Sequence, residues 1–101
     1  MFTIINTNVV DNQAPTTPTN LVASNPTAST VSLNWNASSD NIGVTGYDIY
    51  QLNTNSIVSS TAGTSYTVTG LSPNTSYSYR VSAKDAAGNT SGYGNTASAT
   101  T

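Results

Sequence analysis

The sequence predicts an all-β fold, a single antiparallel sandwich of seven short strands. Three observations carry that expectation. β-branched residues and tyrosines dominate the apolar positions, and such side chains suit a pleated, half-buried surface. Turn formers recur at short intervals, as Asn25-Pro26, Asp40-Asn41, Gly43, Gly46, Gly63, Gly70, Pro73-Asn74 and Gly88-Asn89. Between them, apolar and polar residues alternate with the period of a strand, while alanine, the one abundant strong helix former, is scattered among Ser, Thr and Gly.

The strands follow in order. Residues 19–24 place Leu21 and Ala23 on one face, and the preceding Pro15 and Pro18 mark an edge strand. Residues 30–36 alternate most cleanly, with Val31, Leu33 and Trp35 inward and Ser32, Asn34 and Asn36 outward. In 46–52, Tyr47 and Ile49 face in, and Asp48 and Tyr50 face out. A turn over 53–56 leads to a weakly apolar strand at 57–61. Residues 65–69 point Tyr66 and Val68 inward, and 76–84 do the same with Tyr77, Tyr79, Val81 and Ala83. A turn over 85–89 needs the positive φ that Gly88 supplies, and a last strand at 95–100 turns Ala97 and Ala99 inward.

Composition bounds the chemistry. A chain of 101 residues suits one domain, with 14–101 as the domain proper and 1–13 as a β-prone extension or linker. Cysteine, histidine and glutamate are absent, which removes disulfides, zinc sites, thiol nucleophiles and the commonest general base. The acids are Asp11, Asp40, Asp48 and Asp85, and the bases are Arg80 and Lys84. With only 6% charged residues the surface cannot neutralise a phosphate backbone, so nucleic acid is not an expected partner. No apolar run is long enough to insert in a membrane as a helix. The opening residues lack the positive stretch of a signal peptide.

Three features in order resemble a known family: Trp35 ending the second strand, Gly46-Tyr47-Asp48-Ile49-Tyr50 on the third, and the run from Leu71 through Pro73, Thr75, Tyr77 and Tyr79 to Val81. Together they resemble the fibronectin type III domain, an immunoglobulin-like seven-stranded β-sandwich. The resemblance implies that Trp35, Tyr47, Leu71, Pro73 and Tyr77 are structural signature positions. It also implies that Tyr77 forms a tyrosine corner, its ring in the core and its hydroxyl on the backbone just upstream. The family's Arg-Gly-Asp adhesion tripeptide is missing, because Asp85-Ala86-Ala87-Gly88-Asn89 stands at that turn. The stretches DNQAPTTP (11–18), SDNIGVTGYDIY (39–50) and AKDAAGN (83–89) are similar to modules attached to bacterial secreted chitinases and cellulases. That narrower resemblance implies a non-catalytic spacer or interaction module of a secreted protein, extracellular or on the cell surface, whose partners are neighbouring domains.

Candidate sites follow from these residues. Paired carboxylates for glycoside hydrolysis need a cleft, and loop tips do not make one, so no catalytic residue is assigned. Nor does the chemistry call for a cofactor. In a sandwich of this order Asp11, Asp40 and Asp85 fall at one end, and their hard oxygens would suit calcium; the competing reading is that Asp40 and Asp85 cap turns. Tyr50 on the outward face and Tyr93 between Gly92 and Gly94 are candidates for contact with a polysaccharide or another module. Asn36, Asn74 and Asn89 each open an N-glycosylation sequon. In the extension, Phe2, Ile4, Ile5, Val9 and Val10 form a strand-like segment. It could pack on its own sheet, or add to the open edge of another copy as a self-assembling filament or surface-layer subunit would.

Overall fold

A computed structural model describes residues 13–40 and 43–101. The extension residues Phe2, Ile4, Ile5, Val9 and Val10, and the candidate ligand Asp11, lie outside that range. Seven strands appear in chain order: β1 Thr19–Ser24, β2 Val31–Asn36, β3 Val44–Gln51, β4 Ser56–Thr61, β5 Ser65–Val68, β6 Ser76–Asp85 and β7 Ala97–Thr100. They form two antiparallel sheets, a three-stranded one ordered β1-β2-β5 and a four-stranded one ordered β4-β3-β6-β7. The all-β sandwich expected from the alternation is the fold observed.

The inner faces are the alternating sets read from the sequence. Leu21, Val31, Leu33, Trp35 and Val68 come from one sheet, and Tyr47, Ile49, Tyr79, Val81 and Ala83 from the other. Trp35 and Tyr47 meet edge-to-face across the sandwich, with centroids 5.5 Å apart. Tyr66 and Tyr77 are half-buried and pack against this core.

Several boundaries differ from the sequence expectation, each for a local reason. β3 begins at Val44, not at residue 46, because Val44 pairs with Asp85 ahead of an irregularity at Gly46. Ser56 belongs to β4 and not to the turn, through its pairing with Gln51. β7 starts at Ala97, not at residue 95, because Asn95 uses its side chain in place of ladder pairing. Its Nδ2 donates to the Leu21 carbonyl at 2.9 Å, and its Oδ1 accepts from the Leu21 N–H at 3.0 Å. Leu21 is available because β1 is irregular between Thr19 and Val22, where Asn20 has a φ of 54°. Asparagine tolerates that left-handed conformation better than most side chains.

Candidate functional site

The register of β3 and β6 builds the most distinctive surface feature. Tyr50 lies directly opposite Arg80, and both point away from the core, one residue out of phase with Ile49 and Tyr79. The segment after β6 completes the feature. Ser91 N–H donates to the Ala83 carbonyl and Gly94 N–H to the Val81 carbonyl, so residues 91–94 run alongside β6. Gly94 sits so close to the lead into β1 that a Cβ there would lie 2.3 Å from the Pro18 carbonyl oxygen. Only glycine fits, and alternation along the chain then turns Tyr93 to the outer face.

Tyr93 and Tyr50 thus converge on Arg80. The Arg80 Cζ lies 4.3 Å from the Tyr93 ring centroid and 4.7 Å from that of Tyr50. The two centroids are 5.2 Å apart, with the rings tilted by 48°. The Tyr50 hydroxyl donates to Asn55 Oδ1 at 3.2 Å, which orients its ring. Arg80 Nε is buried without a hydrogen-bond partner, and no ion pair engages the guanidinium among the described residues. Further along the same face, Lys84 Nζ meets Asp48 Oδ1 at 3.1 Å and Ser60 donates to the same oxygen.

The aspartate-bearing loops occupy one end of the sandwich, as the pairing of Val44 with Asp85 requires. Both carboxylates take part in turns. Asp85, only 4% exposed, accepts from the N–H groups of Ala87 and Asn89 and from Asn89 Nδ2. Asp40 accepts from Gly43 N–H at 3.3 Å. Among the described residues no group of three acidic, histidine or cysteine side chains could hold a metal ion.

The signature positions form hydrogen-bonded corners. The Tyr77 hydroxyl accepts from Ser72 N–H at 2.9 Å, and Leu71 N–H donates to the Ser29 carbonyl, tying the β5–β6 loop to the β1–β2 loop. The Tyr47 hydroxyl accepts from Ser38 N–H at 2.8 Å. Pro73 lies exposed in the same loop as Leu71. Two contributors escaped the sequence reading. Arg80 could have been found by strand parity, since it shares the outward phase of β6 opposite Tyr50. Asn95 had no local signal, because its partner Leu21 is 74 positions away.

Entry and exit of the fold lie at opposite ends. Thr16 N–H bonds the Ser39 carbonyl beside the β2–β3 loop, whereas Thr101 N–H bonds the Thr75 carbonyl beside the β5–β6 loop.

Two antiparallel sheets packed face to face, with corners held by tyrosine hydroxyls, define an immunoglobulin-like β-sandwich by class. The chain matches the fibronectin type III domain over residues 16–100, and it belongs to that family. It is 50% identical over 91 residues to chitinase A1 of Niallia circulans, covering 90% of this chain and 13% of that protein. It is 57% identical over 85 residues to exoglucanase A of Cellulomonas fimi, covering 84% of this chain and 10% of that protein. An α-amylase of Niallia circulans is 52% identical over 93 residues, covering 92% of this chain and 7% of that protein. Among solved structures, chitinase ChiA74 from Bacillus thuringiensis superposes with a TM-score of 0.83 at 40% identity, covering 93% of this chain and 14% of that one. The chain therefore spans a small fraction of the relatives that it matches.

Proposed function

We propose that the chain is a non-catalytic spacer and interaction module of a secreted bacterial multidomain protein that degrades polysaccharide. One observation carries this reading. The same unit recurs, nearly whole, within a chitinase, an α-amylase and an exoglucanase, while making up 13%, 7% and 10% of them. A part shared by enzymes of such different specificity does not set their chemistry. Opposite entry and exit points suit a module that holds its neighbours apart in line, by about 3.3 Å for each residue of strand. The test is to replace the matching unit of the Niallia circulans chitinase with this chain. Hydrolysis of a soluble oligosaccharide should equal that of the parent, and hydrolysis of insoluble chitin should exceed that of a unit-deleted enzyme. Loss of soluble-substrate activity on exchange would overturn the reading.

A second reading, a self-assembling subunit, is favoured by one observation. β4 is an edge strand without a charged residue, and it exposes Ile57 by 53% and Val58 by 40%. Such an edge is a template for strand addition, here by residues 2–10 of a neighbouring copy. Light scattering at high concentration should then report assemblies that vanish when residues 1–11 are deleted. A monomer at high concentration would exclude it.

A further inference from the structure

We propose that Tyr93, Arg80 and Tyr50 form a contact site for a neutral polysaccharide chain on the outer face of the four-stranded sheet. The inference rests on reading the chain as a module of a polysaccharide-degrading protein, and it names the surface through which the module would take part.

The geometry gives each residue a role. Tyr93 is 37% exposed and is held outward by the close approach of Gly94 to Pro18. An exposed, positioned tyrosine ring offers an apolar face to the C–H face of a pyranose, at little cost in side-chain entropy. Arg80 lies over both rings, its Cζ 4.3 Å from one centroid and 4.7 Å from the other, so its fork is ordered before any ligand arrives. With no ion pair to engage it among the described residues, its outer N–H groups can donate to vicinal sugar hydroxyls. Tyr50, anchored through Asn55, keeps the guanidinium plane in place. Such a cluster is dispensable for closing the sandwich, since the core lies wholly on the other face of β3 and β6.

Charge selects the kind of chain. The module carries a net charge of −2, and Asp48 lies on the same face, on the strand that bears Tyr50. A polyanion would work against the module's net negative charge, with the nearby lysine already paired to Asp48, whereas an uncharged glycan would not. The surrounding hydroxyls of Ser60, Ser78 and Ser98 suit a hydroxylated ligand.

The experiment is native affinity electrophoresis of the intact chain through gels containing hydroxyethyl cellulose, glycol chitin, soluble starch or polygalacturonate. Retardation by at least one of the neutral chains is expected. Tyr93→Ala and Arg80→Gln should each weaken it about tenfold or more, as loss of a central contact residue does. Val22→Ala, on the other sheet, should leave it unchanged. Because a variant could be lost to misfolding, the wild-type chain is also titrated by NMR, and the ring resonances of Tyr93 should move with the retarding polymer. Three outcomes overturn the proposal: no retardation by any neutral chain, retardation insensitive to both substitutions, or retardation by polygalacturonate alone that salt abolishes. None of these touches the comparison of soluble and insoluble substrates for the exchanged chitinase, so the two readings fail separately.

Discussion

Tyr79 is wholly buried, and its hydroxyl has no hydrogen-bond partner among the described residues. Burial, and secondarily the neighbouring Tyr77, pushes its pKa up from 10.0 to about 12. Below the unfolded value both states keep the proton and the full stability is present. As pH rises between the unfolded and folded values, only the unfolded chain ionises, and stability falls by an amount on the order of 2–3 kcal/mol. Urea unfolding midpoints should therefore drop steeply above the ordinary tyrosine pKa, and Tyr79→Phe should flatten that drop. At neutral pH the same substitution should cost little, because it removes a hydroxyl that bonds to nothing. Tyr77→Phe should behave differently. It removes the acceptor of the Ser72 N–H at 2.9 Å and should cost about 1 kcal/mol by urea unfolding at neutral pH, with the spectrum of the fold unchanged. The contrast between these two tyrosines was only half legible in the sequence. Their alternation put both on the inner face of one strand. The family signature marked Tyr77 for a backbone bond, but nothing local said that Tyr79 would have no partner.

At the scale of elements, the two sheets are joined by more than side-chain packing. Asn95 copies a strand residue, presenting one donor and one acceptor to the backbone of Leu21, and so closes the side of the sandwich where β1 and β7 come together. Asn95→Ala should cost about 2 kcal/mol, roughly one for each lost bond, and amide exchange at Leu21 should accelerate more than at β2 positions such as Leu33. Equal acceleration throughout would mean that Asn95 acts only through global stability. Strand existence was readable because Val31, Leu33 and Trp35 obey the period of two without exception. Strand ends were less so, because they depend on distant partners. β6 continues to Asp85 because Val44 pairs there, and β7 is cut short because Asn95 reaches β1. The outward tyrosines were likewise legible one at a time. Their convergence on Arg80 was not, since it depends on the register between β3 and β6 and on residues 91–94 running alongside β6.

For the whole molecule, the scarcity of charge makes stability a matter of packing and hydrogen bonds. One ion pair is present among the described residues, between Lys84 and Asp48, and the lysine side chain is 38% exposed. Such a pair contributes about 1 kcal/mol at most, and salt screens it. Screening also relieves the weak self-repulsion of a net charge of −2, so the two effects oppose each other. The melting temperature should then move by no more than about 5 °C between low salt and 1 M sodium chloride. Calcium provides the companion measurement, because a ligand bound only to the folded state raises the melting temperature progressively with its concentration. Asp85 already accepts three hydrogen bonds inside its own turn, and Asp40 accepts one from Gly43. These carboxylates are already committed to their turns, and the described residues bring no third acidic group to them. Melting curves in millimolar calcium and in EDTA should therefore superpose. A rise that grows with calcium concentration would show that the loop end of the sandwich assembles a calcium site from these carboxylates and further oxygen ligands.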